Sequence, residues 1–303
     1  MRWYVKCVVD NLKSAIPGHE GLRRLKRKAC GYHSVDGRAD YAIAEGLRMI
    51  SLIRTHHDLS GADVLEIGAG WEPLLPILFI LGGARRVVAA DLYRLCDDQT
   101  FASAVRALRR NTERIAGGLG VPAGQVQDAL AGLQEMTMDD GLRRLGIDYM
   151  APCDCRSMPL PDRSMDIVFS RDVLEHVPAP VIGGIFRNAF RMLRPGGVAC
   201  HFIDPSDHWE HGDKSISRVN FLRYSDSVYR LTYLNALNYH NRLRHPEYVG
   251  MLRDAGYEIA SESRVVDEPS LVELQRMPVA QRFRGFAPED LATVDSFLLA
   301  VRR

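Results

Sequence analysis

At 303 residues, 46% hydrophobic and 25% charged, the chain is long enough for one large α/β domain with insertions and tight for two independent domains. Lys and Arg total 39 against 38 Asp and Glu, a formal net charge of +1, so no overall field would gather nucleic acid. The scattered cysteines Cys7, Cys30, Cys96, Cys153, Cys155 and Cys200 fit neither a zinc ribbon nor a redox CxxC motif and read as reduced thiols of a cytoplasmic protein.

Residues 1–60 read as mainly helical, a lead-in segment or cap. Lys6 and Asp10 break the first apolar stretch, so it lacks the uninterrupted core of a signal peptide. The basic run Arg23-Arg-Leu-Lys-Arg-Lys28, next to an apolar stretch over 5–16, suits contact with an anionic membrane surface or an acidic substrate; a solvated helix face is the plainer alternative. Ile43, Leu47, Ile50 and Ile53 recur at helical spacing. A short apolar strand over 64–67 then leads into a glycine turn, a helix over 73–81 ending at Gly82-Gly83, and a second strand over 87–90, which is a βαβ unit. The longest apolar run, 74–81, contains Pro76 and is too short to span a bilayer.

Further strands are expected over 165–170, 198–203, 256–259 and 296–301, with helical pattern between them. Such alternation predicts a parallel sheet covered on both faces. Two stretches exceed what that alternation needs. Residues 97–145 read as two amphipathic helices broken near Gly117-Gly118 and Gly120, and residues 205–253 as an aromatic-rich helical block; both are candidates for a lid and substrate pocket.

In Val64-Leu-Glu-Ile-Gly-Ala-Gly70 a strand enters a turn where Gly68 and Gly70 admit a ligand close to the backbone. Asp91, 21 residues after Gly70, ends the next strand and can accept from both hydroxyls of a ribose. A nicotinamide dehydrogenase would present a similar start. It would, however, seat a pyrophosphate on the helix N-terminus, where Glu72 would repel it and Pro73 replaces the expected small residue.

The series Glu66-Ile-Gly-Ala-Gly70, Asp154, Met158-Pro-Leu-Pro-Asp162 through Asp166-Ile-Val-Phe-Ser170, Val173-Leu-Glu-His176 and Met192-Leu-Arg-Pro-Gly-Gly-Val198 resembles the class I S-adenosylmethionine-dependent methyltransferases, in their small-molecule, ubiquinone/menaquinone-type branch. The resemblance covers about 64–203. It implies a Rossmann-like, doubly wound, seven-stranded sheet, with a helical segment at 1–60 before a methyltransferase domain at 61–303, and S-adenosyl-L-methionine as cofactor. Carried over, it sets Glu66, Gly68 and Gly70 at the methionine end, Asp91 at the ribose and Asp154 at the adenine amino group. Cys155 would offer a main-chain N–H to the adenine, and Ser170 and Arg171 would line the cofactor beside the reacting methyl. Glu72 stands where the family's third glycine is usual, and Asp166 is assigned a structural role.

Methyl transfer to an alcohol needs a base or a metal, because the hydroxyl proton must leave as the new bond forms. His176, His208 and His211 are the candidate bases, with His201 and Asp204 near the same strand ends. His208 and His211 stand three apart near carboxylates, a spacing that would admit a metal, but no closed ligand set is evident and none is expected. The block over 221–244 mixes Tyr, Asn, Arg and His; a sugar, glycan or polar secondary metabolite is the leading acceptor, with Arg223, Arg230, Arg242 and Arg244 able to hold an anionic group. The competing readings are an NAD(P)-dependent oxidoreductase and a catalytically silent scaffold of the same fold.

Overall fold

The computed structural model describes residues 2–5, 7, 9, 36–233 and 239–303. The basic run at 23–28, most of the apolar stretch at 5–16 and residues 234–238 of the aromatic block lie outside the described residues. Strands β1 (Asp63–Ile67), β2 (Arg86–Ala90), β3 (Ile147–Met150), β4 (Met165–Arg171), β5 (Leu193–Ile203), β6 (Glu258–Val266) and β7 (Thr293–Val301) form one seven-stranded sheet in the order β3-β2-β1-β4-β5-β7-β6. The architecture is a Rossmann-like α/β sheet, parallel from β3 through β5, with helices on both faces.

The inner strands are apolar at nearly every position because successive side chains point to opposite faces and both faces are covered. Val64, Val87, Ile167 and Val198 enter one core, while their neighbours Leu65, Val88, Val168 and Ala199 enter the other. On the first face lie α1 (Asp36–Ile53), α2 (Leu74–Leu81), α3 (Asp98–Arg110), α4 (Thr112–Leu119), α5 (Ala123–Leu130) and α6 (Met138–Arg144). Phe79 of α2 stacks on Phe169 of β4 with ring centroids 4.2 Å apart. The second face is covered by α7 (Ala179–Met192) and, beyond α8 (Asp226–Thr232), by α9 (His245–Asp254).

Three features depart from the expected pattern. The 97–145 stretch forms four α-helices rather than two, because caps and left-handed glycines punctuate it repeatedly: Asp97 accepts from Thr100 N, Thr137 accepts from Asp140 N, and Gly120 and Gly132 each take φ +71°. Strand β3 is only Ile-Asp-Tyr-Met, with Asp148 exposed on the sheet edge, so it carries no apolar run. β7 runs antiparallel to both β5 and β6, so the sheet is parallel only through β5.

A smaller core gathers Trp209, Phe221, Leu222, Tyr229, Tyr233 and Phe283 with Cys7. The N-terminal residues dock there: the Trp3 ring lies 4.7 Å from that of Tyr233, and Trp3 N donates to Asp213 at 2.8 Å. Among the described residues no helix is long and apolar enough to cross a membrane. The strand order reverses between β1 and β4, where connections leave in opposite directions and open a crevice beyond the strand ends.

Candidate active site

A cleft of about 1330 Å³ occupies that crevice and is floored by the loops after β1, β2, β4 and β5. Its first wall is the glycine turn. Gly68 N and Ala69 N donate to Ala90 O at 2.8 and 3.0 Å, and Asp91 closes the turn by accepting from Gly70 N at 2.8 Å and from Tyr93 N at 2.9 Å. Both glycines are left-handed, with φ +80° and +64°. Their reasons for being glycine differ. A Cβ on Gly68 would collide with the Val173 methyls, whereas one on Gly70 would meet nothing nearer than Gly68 O at 4.0 Å. Packing against Val173 thus explains Gly68, whereas at Gly70 the left-handed backbone alone asks for glycine.

Glu66, Gly68, Gly70, Asp91, Asp154, Cys155 and Arg171 all line this cleft. Glu66 is 5% exposed and its Oε2 has no hydrogen-bond partner; burial first, then the charge of Asp91, push its pKa well above the usual carboxylate range. Asp154 pairs with Arg156 at 2.6 Å, and those hydrogen bonds hold its pKa low. Burial drives the Cys155 thiol up to about 12, so it is a neutral thiol.

Ser170 does not join them. Period-two alternation in β4 turns it into the core, where its hydroxyl lies 2.8 Å from His201 Nδ1 and both residues are fully buried. Of the residues at and just after the end of β4, Arg171, Asp172 and Val173 reach the cleft instead. Asp172 adopts φ +53°, a conformation Asp tolerates better than most residues, and pairs with Arg171 at 2.9 Å. Burial raises its pKa to about 6 against the opposing charge of Arg171.

The far half of the cleft brings together Tyr41 of α1, Asp204 after β5 and Asp295 of β7, with Arg218 and Tyr239. Burial, reinforced by Asp204, Glu45 and Asp172, raises Asp295 to about 6. Burial works against the charge of Asp204 too, yet His208 beside it and Ser206 hold its pKa well below the usual range. Asp172, Asp295 and Tyr41 were not singled out from the sequence. Only Asp172, at the end of a recognised strand, carried a local signal.

The three candidate histidines do meet, and His240 joins them. The His176 ring lies 5.1 Å from that of His208 and 5.7 Å from that of His240, and His208 is 5.2 Å from His211. His176 and His211 face the cleft; His208 sits behind them with its Nε2 3.1 Å from Asp204 Oδ2. His176 Nδ1 is 2.9 Å from the carbonyl oxygen of Tyr239. A carbonyl only accepts, so this nitrogen carries a proton, and a single-protonated ring would hold its lone pair on Nε2, which lies 4.0 Å from Glu175 Oε1. Among the described residues no group of three or more His, Cys, Asp or Glu is arranged to hold a metal ion.

Residues 126–201 match the model of the methyltransferase domain family. No curated protein matches the chain. Among solved structures, an S-adenosylmethionine-dependent methyltransferase of Methanosarcina mazei is similar at 17% identity and TM-score 0.45, over 83% of this chain and 96% of that one. A second, from Mesorhizobium loti, is similar at 14% identity and TM-score 0.43, over 83% and 96%.

Proposed function

We propose that this chain is a class I S-adenosylmethionine-dependent methyltransferase that methylates a hydroxyl of a small polar acceptor: a sugar, a glycan or a secondary metabolite; the match of residues 126–201 to the methyltransferase domain supports the class. The reading sets it in the small-molecule, ubiquinone/menaquinone-type branch, as a cytoplasmic enzyme with 61–303 as its methyltransferase domain and 1–60 as its cap. Cys96, Cys153, Cys155 and Cys200 are not disulfide-bonded, which fits a reducing compartment.

S-adenosylmethionine, when bound, supplies an electrophilic methyl on a sulfonium, already a good leaving group. The residues of the first half of the cleft fit it. Asp91 keeps acceptor capacity for ribose hydroxyls beyond its two backbone partners, and Gly70 leaves space for the ligand against the main chain. The buried Glu66 oxygen without a partner suits the ammonium of the methionine end. Asp154 and the Cys155 main chain would hold the adenine, and Gly68 shapes the turn. Arg171 borders the reacting centre.

The observation that carries the acceptor assignment is continuity: one cleft runs from Asp91 past His176 to Asp172, Asp204 and Asp295. Its volume exceeds the roughly 300–1,000 Å³ that one drug-sized ligand fills, so a second molecule has room beside the cofactor. Carboxyl, guanidinium and phenol groups in that far half match the donors and acceptors of a hydroxyl-rich molecule. His176 takes the hydroxyl proton on Nε2 as the oxygen attacks, while His208 and His211 complete the imidazole group around it. The protein otherwise aligns the two reactants and excludes water.

The test is methyl transfer from methyl-labelled S-adenosylmethionine to a panel of glycosides, polyols, phenols and amines, with products identified by mass spectrometry and NMR. Label is expected as methyl ethers, and His176→Asn should slow transfer about 100-fold. Label found only on amine nitrogen would overturn the acceptor class, and tight cofactor binding without transfer to any panel member would overturn the hydroxyl assignment in favour of a silent fold member.

A further inference from the structure

If His176 is the base, the atoms that aim it belong to a distant strap of chain. The turn that carries it, Leu174–His176, follows β4 and is closed by short-range bonds of its own, His176 N to Val173 O at 2.9 Å and Val177 N to Leu174 O at 3.2 Å. Asn241 ties it to a distant segment. Its Nδ2 donates to Leu174 O at 2.7 Å and to Val177 O at 2.8 Å, and its main-chain N–H donates to Glu175 O at 2.7 Å. Its Oδ1 accepts from Leu243 N and from Tyr248 Oη, both at 3.0 Å. Both amide hydrogens and both lone pairs are thus used, in a side chain that is buried, and only one orientation of the amide satisfies all four partners. A buried amide so fully satisfied rigidifies its surroundings.

The strap is itself held from the other side. His240 O accepts from Tyr229 Oη at 2.8 Å, and the Arg242 guanidinium donates to Phe221 O at 2.9 Å while lying 4.0 Å from the Tyr229 ring centre. Two residues before Asn241, the Tyr239 carbonyl accepts the hydrogen bond from His176 Nδ1. The anchor therefore sets both the position of the turn and the tautomer of the ring.

Resting on the assignment of His176 as base, we propose that Asn241 is a positioning residue: by clamping the 174–177 turn to the 239–243 strap it keeps His176 as the Nδ1–H tautomer, with the lone pair on Nε2. It does not line the cleft, whereas His176, Val177 and Tyr239 do.

Imidazole nitrogen NMR of the full-length, histidine-labelled protein with S-adenosylhomocysteine tests this without any acceptor. His176→Asn identifies the His176 signals by their loss. The wild type is expected to show the Nδ1–H pattern, and Asn241→Ala or Asn241→Ser a mixture of tautomers. Tyr248→Phe, which removes one partner of Oδ1 and leaves the carbonyl bonds intact, is expected to keep the wild-type pattern. A wild-type Nε2–H pattern would sink the proposal with no variant needed, as would an unchanged pattern in a folded Asn241→Ala or Asn241→Ser. Once an acceptor is known, the two ideas separate. Full turnover by His176→Asn removes the base assignment while leaving the tautomer result standing; a tautomer that ignores Asn241 removes the clamp while leaving the base.

Discussion

Removal of the Asp91 carboxylate should weaken S-adenosylmethionine binding about 100-fold. The carboxylate has roughly four acceptor positions, and two are already committed, to Gly70 N at 2.8 Å and Tyr93 N at 2.9 Å. Two remain for the ribose hydroxyls. A hydrogen bond to a charged group contributes about 1.5–3 kcal/mol net, and Asp91 is only partly buried, so the lower figure applies to each. Two such bonds give about 3 kcal/mol, or about two decades in Kd. Asp91→Ala also releases Gly70 N from its partner, which loosens the turn and adds to the loss. Asp91→Asn should fall between: one oxygen still accepts from Gly70 N, but the amide nitrogen cannot accept from a ribose hydroxyl, so about a tenfold loss is expected. Calorimetric titration with S-adenosylmethionine and S-adenosylhomocysteine measures both variants, with thermal unfolding showing that each is folded. A folded Asp91→Ala whose Kd stays within about threefold of wild type would refute the placement of the nucleoside.

The two glycines of the turn should respond differently to alanine. Gly68→Ala must displace Val173 and should lower the melting temperature, whereas Gly70→Ala has space and should cost only about 1 kcal/mol of stability from its left-handed backbone while impairing cofactor binding more. Equal melting temperatures for the two variants would contradict the packing argument. Stability should also fall in acid because of His201, whose pKa burial lowers from 6.5 to about 3. Between those values the unfolded chain binds a proton that the native ring does not, so stability declines as pH drops through that window, by up to about 1.4 kcal/mol per pH unit. Asp207, raised by burial to about 7, acts with the opposite sign between 3.8 and 7, because the native state holds the extra proton. The difference in urea midpoint between wild type and His201→Gln isolates the histidine; identical pH slopes would show that it does not contribute.

What could be read along the chain depended on whether the determining contacts were local. The β1–turn–α2–β2 unit is legible because one contiguous segment holds the apolar strand residues, Gly70 and Asp91. β3 was not, because an edge strand of four residues with an exposed Asp148 needs no apolar run. The direction of β7 was not either: a strand buried on both faces reads the same in either orientation, and only its pairing with β5 and β6 sets it. Ser170 was misplaced through alternation. Its neighbour Arg171 reaches the cleft, and one step along a strand reverses the face.

The chemistry of the far half is harder to read for a reason of its own. His208 and His211 attract notice because they stand three apart, and that spacing says nothing about which ring nitrogen carries a proton. That choice is made for His176 by a carbonyl at residue 239, and the turn beneath it is fixed by an amide at 241, more than sixty positions away in the chain. Asp295 and Tyr41, at nearly opposite ends of the sequence, reach the same cavity through β7 and α1. An active imidazole is defined by what its second nitrogen bonds to, and here that partner is main chain. A backbone carbonyl leaves no mark on residue identity, so a histidine picked out by its motif does not reveal its tautomer until the strap that supplies the carbonyl has been folded against it.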